Sequence, residues 1–169
     1  LAYLVNKLFP KLSLHASTQM NINNLNGAKI AKKLGFKRIV LARETDLEEL
    51  KNIRRNCDIE IEVFIHGSLC VCQSGQCLMS SLNGDRSANR GRCAQPCRKD
   101  YKIILEDKVI NSKLSYLSPK DLCTIDNVNE IAKYCDSLKI EGRMKSKEYV
   151  YSVVKSYRDK LDNGKYGYF

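Results

Sequence analysis

Cys70, Cys77, Cys93 and Cys97 stand at the spacing C-x6-C-x15-C-x3-C, the first two in the stretch EVFIHGSLCVCQSGQC. Thiolates are soft anionic ligands, and four of them on loops suit an iron–sulfur cluster or a zinc ion. No C-x2-C pair occurs, which weakens a zinc ribbon, because ribbons build a tight knuckle from that pair. Spacing alone leaves a cluster, zinc and reduced structural thiols all open. Cys72 lies two residues from Cys70, and Cys123, expected in the first turn of a helix, is the substitute fourth ligand. Cys57 and Cys135 each precede a predicted strand, where a small buried apolar residue is the simpler role.

Other residues could work beside such a centre. His66 ends a predicted strand, and KIEGR puts Lys139, Glu141 and Arg143 at the end of another. Alternation points 139, 141 and 143 the same way, so the three could converge on a substrate; a salt-bridge network is the plainer alternative. Ser17 and Gln19 are similarly placed, with a turn or cap as their plainer role. From Arg86 to Lys102, Arg86, Arg90, Arg92, Arg98, Lys99 and Lys102 face one acid, Asp100. With a net charge of +10, that points to a polyanion such as nucleic acid, to a phosphate-rich or carboxylate substrate, or to charges that balance an anionic cluster. There is no H-E-x-x-H and no G-x-S-x-G, so nothing local supports amide hydrolysis.

Strands and helices alternate to position these groups. LSLHAS (12–17), FKRIVLAR (36–43), DIEIEVFIHG (58–67) and DSLKIEG (136–142) read as strands, the third with Ile59, Ile61, Val63 and Ile65 on one face. Helices are predicted over 24–35, over 45–55 with Thr45 as N-cap, over 118–135 starting at Ser118 and Pro119, and over 145–164. Residues 101–119 read as a β-hairpin turning near Glu106–Lys108.

The expected fold is therefore α/β: a partial (β/α)8 TIM-type barrel with a Cys-rich insertion and a β-hairpin. One partial barrel domain, 1–169, takes its βα units from 12–66 and 118–163 and its insertion from 67–117. A half-barrel exposes two strand edges, so the missing half or a second subunit is expected to cover them. LAYLVNKLFP is broken by Asn6, Lys7 and Pro10 and is too short to span a bilayer. The expectation is a cytoplasmic protein with no membrane partner; the start at Leu1 is read as a truncated amino terminus.

EVFIHGSLCVCQSGQCLMSS, NRGRCAQPCRKDY, LSPKDLC, SLKIEGRMKSKEYVYSVVKSYR and LHASTQMNINN together resemble the collagenase-like peptidase family U32, over about residues 12–161. The resemblance implies a fragment of a longer barrel protein, and two kinds of activity. One is a peptidase, sometimes collagen-degrading. The other is oxygen-independent hydroxylation of tRNA, rRNA or a quinone precursor by an iron–sulfur enzyme. In that second case a 4Fe-4S cluster is held at positions matching Cys70, Cys77, Cys93 and, as the most variable ligand, Cys97, with Cys123 its rival. The expected function is RNA hydroxylation, with His66, Lys139, Glu141 and Arg143 lining the substrate mouth. A peptidase, or a non-catalytic RNA-binding module stapled by zinc, is the alternative.

Overall fold

The computed structural model describes residues 1–142 and 145–163, without the side chains of 111–113. Four strands run parallel in the order β1 (His15–Ala16), β2 (Arg38–Val40), β3 (Glu60–Gly67) and β7 (Ser137–Ile140). β6 (Leu122–Cys123) adds antiparallel to the last two residues of β3. The helix α1 (Ala2–Leu8) precedes the sheet, and α2 (Leu25–Lys33) and α3 (Leu47–Asn56) make the crossovers between β1, β2 and β3. The return from β3 to β7 is much longer. It contains the insertion, then β6 and the short helix α5 (Val128–Ile131); α6 (Lys147–Asn163) follows β7. The architecture is mixed α/β with a parallel sheet that does not close into a barrel among the described residues.

Helix starts follow from local chemistry. Asn24 caps α2, its side-chain oxygen accepting from the Gly27 amide at 2.9 Å. For α3 the cap is Asp46, accepting from the Glu49 amide at 2.8 Å, and not the predicted Thr45. A carboxylate accepts a more strongly charge-assisted bond than a hydroxyl, and it also sits well against the positive helix end.

The strand alternation has a clear outcome in β3. Ile61, Val63 and Ile65 are buried among Ala28, Ala31, Leu50, Ile53, Val128 and Tyr157. Glu62, Phe64 and His66 take the alternate positions and are half-buried.

The helix predicted from Ser118 is not there. Residues 122–123 are drawn out as β6, with Leu122 opposite Gly67 and Cys123 opposite His66, and the helix begins only at Val128. Long-range bonds outweigh the local helix signal: the Pro119 carbonyl and Ser118 hydroxyl accept from Arg98, and the Thr124 amide donates to the Ile65 carbonyl. Cys123 therefore lies on a strand rather than in a helix's first turn.

The insertion holds a short helix, α4 (Met79–Leu82), two 3-10 turns at Ala88–Arg90 and Pro96–Arg98, and the expected hairpin of β4 (Tyr101–Leu105) and β5 (Lys108–Leu114). Glu106 and Asp107 close the hairpin at φ 47° and 61°, the double left-handed turn that matches the twist of paired strands.

Candidate functional site

The cysteine loop is fastened across the carboxyl ends of the parallel strands. Both the amide and the hydroxyl of Ser74 donate to the Glu44 carboxylate just beyond β2, the hydroxyl at 2.8 Å, and the Arg43 amide donates to Ser74 Oγ at 3.3 Å. Gly75 stands at φ 76°, and a Cβ there would overlap the Gln19 carbonyl oxygen, so the loop rests directly on the turn that follows β1. The Asn89 side-chain Nδ2 donates to the Gly75 carbonyl at 2.7 Å, tying in the 3-10 turn at 88–90. Ser17 is a local cap, accepting from the Gln19 amide at 3.2 Å.

Arg98 braces the second limb. Its guanidinium donates to the Leu69 carbonyl at 2.7 Å, the Pro119 carbonyl at 2.9 Å and the Ser118 hydroxyl at 2.7 Å, and pairs with Asp121 at 3.2 Å. Nearby, the buried Ser80 hydroxyl accepts from the Ala94 amide at 3.1 Å and donates to Cys93 Sγ at 3.7 Å. The Gln95 amide also donates to Cys93 Sγ, at 3.3 Å.

These fastenings bring the thiols into mutual influence. Burial pushes the Cys97 thiol up, and nearby Cys70 pushes it further; the Arg98 charge pulls it back, Cys93 raises it again, and the Val71 amide favours the thiolate. Burial likewise pushes up Cys72, with Cys77 and then Cys70 adding to it. Cys70 thus bears on Cys72, which Cys77 also reaches, and on Cys97, which Cys93 also reaches. Cys72, which spacing had set aside, shares these influences with the four cysteines that spacing singled out.

Among the described residues no group of three or more His, Cys, Asp or Glu side chains is placed to hold a metal ion. Zinc needs its thiolates to converge on one point at about 2.3 Å. A four-iron cluster takes one thiolate at each of four separate corners, so its thiolates stand further apart, and amides directed at the sulfurs tune it. The Gln95 amide at Cys93 Sγ and the Val71 amide at Cys97 are donors of the kind that tune a cluster.

A second set of residues lies on the sheet face opposite the helices. Lys139 pairs with Glu62 at 2.8 Å, and Glu62 with Arg38 at 3.5 Å; Arg38 also meets Glu60 at 2.8 Å. Glu141, just past β7, pairs with Arg43 at 2.8 Å. Phe64 lies between the two pairs, with Arg43 Cζ 4.3 Å and Lys139 Nζ 5.2 Å from its ring centre. Burial would raise the Glu62 carboxyl, but the Lys139 bond and charge, then Arg38 and Ser137, hold it below the usual carboxylate range. Lys139 and Glu141 are therefore held in separate ion pairs whose cations share the Phe64 ring, and Arg143 lies outside the described residues.

His66 goes elsewhere. The pairing of β3 with β7 shifts between Phe64 and His66, inserting one extra residue, and the imidazole packs on α6 at 6.0 Å from the Tyr149 ring and 5.6 Å from that of Tyr157. Cys123 joins this group, with Sγ 3.9 Å from the Tyr157 hydroxyl.

The model of peptidase family U32 matches residues 1–167. The chain belongs to this family. Among U32 relatives it is 43% identical over 162 residues to an uncharacterized protease of Methanocaldococcus jannaschii, covering 90% of this chain and 40% of that protein. It is 41% identical over 165 residues to tRNA hydroxylation protein P1 of Bacillus subtilis, covering 92% of this chain and 39% of that one. A 23S rRNA 5-hydroxycytidine synthase of Escherichia coli is 42% identical over 155 residues, covering 90% and 24%. The chain thus spans at most 40% of the length of these three relatives. No solved structure matches the chain significantly.

Proposed function

We propose that this U32 chain carries the iron–sulfur site of an enzyme that hydroxylates RNA without oxygen, with Cys70, Cys77, Cys93 and Cys97 as ligands of a 4Fe-4S cluster. The observation that carries the reading is the influence of Cys70 on Cys72 and on Cys97, one thiol from each limb of the insertion. Relatives named for tRNA hydroxylation and for rRNA hydroxycytidine synthesis support the substrate class. In this reading the open sheet is part of a (β/α)8 barrel, and the protein acts in the cytoplasm, where its RNA substrate is.

The bound cluster would supply one-electron chemistry at the rim. The chain's own residues would do the rest. The basic run 86–102 would draw in the phosphate backbone, a sequence-independent attraction. Lys139 and Glu141, held by Glu62 and Arg43 around Phe64, would orient the base. His66 would take up a proton. The peptidase reading draws on the name of the archaeal relative.

Anaerobic reconstitution with iron and sulfide tests the assignment. Visible charge-transfer absorption is expected, with about four iron atoms per chain, lost in Cys70→Ser and retained in Cys57→Ser. A colourless product, bound zinc, or absorption indifferent to Cys70 overturns it. Peptide cleavage that survives chelation and oxidation would favour the protease.

A further inference from the structure

Three polar contacts meet at one oxygen beside the irregularity in β3. The phenolic oxygen of Tyr157 lies 2.8 Å from the Ile65 carbonyl oxygen, 3.0 Å from the Thr124 amide nitrogen and 3.3 Å from Nδ1 of His66. Tyr157 is 4% exposed, the one buried residue of α6, so its hydrogen bonds are settled within the protein.

The protons in this group can be assigned. A carbonyl oxygen only accepts, and two oxygens at 2.8 Å need a proton between them. Only the phenol can supply it, so the single hydroxyl proton of Tyr157 goes to Ile65. Turning it toward His66 would set the lone pairs of two oxygens against each other. Turning it toward Cys123 Sγ, at 3.9 Å, would exchange a short bond for a long one. The Thr124 amide can only donate. Its amide and its hydroxyl, at 3.1 and 3.0 Å, also fix the direction of the Ile65 carbonyl. Nδ1 of His66 must then bring its own proton.

We propose that Tyr157 holds neutral His66 as the Nδ1–H tautomer, leaving the lone pair on Nε2, and so is the positioning residue for a proton acceptor at the end of β3. His66 is half-buried, and Nε2 makes no hydrogen bond among the described residues. The tautomer stands on geometry alone; its use as a base rests on the function proposed above. A tyrosine ninety-one residues away from the histidine it orients is not visible as a motif.

The chain has two histidines, His15 and His66, which makes the test clean. The full chain is labelled with 15N-histidine, His15→Gln identifies the remaining signals, and ring nitrogen shifts are read above the imidazole titration. His66 is expected to show a protonated Nδ1 and a bare Nε2. Tyr157→Phe keeps the aromatic packing and is expected to shift His66 toward the Nε2–H form that free histidine prefers. An Nε2–H pattern in the unmodified chain overturns the proposal whether or not the variant folds, as does a pattern that Tyr157→Phe leaves unchanged. Absence of cluster or of RNA hydroxylation would not alter these spectra, so the two failures are distinguishable.

Discussion

The guanidinium of Arg98 donates to the carbonyl of Leu69 at 2.7 Å, binding the end of one cysteine limb to the start of the other across twenty-nine residues. It also engages Ser118, Pro119 and Asp121 while only 22% exposed. Removing it strands two carbonyls at once. Arg98→Ala is expected to cost about 2 kcal/mol, read from urea unfolding, and to lower the iron retained after reconstitution. Arg98→Lys should recover only part of both, because one ammonium cannot span the fork.

Two glycines of similar backbone separate loop strain from loop docking. Gly75 and Gly91 have φ of 76° and 75°, but a Cβ at Gly91 meets nothing within 4 Å, whereas one at Gly75 overlaps Gln19. Gly91→Ala should cost about 1 kcal/mol for the left-handed conformation alone. Gly75→Ala adds the collision and should cost roughly 3 kcal/mol. Parallel thermal melts compare them.

Stability should fall in acid through Asp136. Burial works to raise its carboxyl, but the Arg54 hydrogen bond at 2.7 Å, the Ile61 amide at 2.8 Å and the charges of Arg54 and Arg38 hold it below the ordinary 3.8. A carboxyl lowered by folding contributes fully above its unfolded value and loses that contribution as pH drops through the folded one. Glu62 adds the same trend from 4.5 downward. The urea midpoint should decline below about pH 4.5, less steeply in Asp136→Asn.

Thiol labelling should sort the cysteines in metal-free protein. Burial pushes Cys135 up to about 12, and the Asp136 charge contributes. At pH 8 roughly one molecule in ten thousand then carries its thiolate. Exposed Cys70, Cys93 and Cys123 should take up iodoacetamide while Cys135 stays unmodified, as mass spectrometry of peptides will show.

Much of this was legible in the chain because it is local. The period-two run before His66, the Asn24 and Gly35 limits of α2 and the hairpin turn all declare themselves within a few residues. The cysteines stood out by type. What could not be read is what the chain does at a distance: Ser74 held by Glu44, residues 118–123 pulled straight by Arg98 and β3, and the extra residue that turns His66 onto α6. Arg43 was within reach, since it follows β2 as Glu141 follows β7. It was missed because its partners lie on other strands.

The charge pairs around Phe64 have a consequence for the rest of the molecule. Arg38, Arg43 and Lys139 are matched by Glu60, Glu62 and Glu141, so that face is neutral and the surplus of +10 resides elsewhere. Contacts of 2.8–3.5 Å lie well inside a screening length of about 8 Å at physiological ionic strength, whereas attraction of a polyanion to the net charge is screened by salt. Added potassium chloride should therefore loosen a polyanion's grip and leave the unfolding midpoint almost where it was. Apart from Arg98, which serves both, adhesion and folding would answer to separate sets of charges in one small chain.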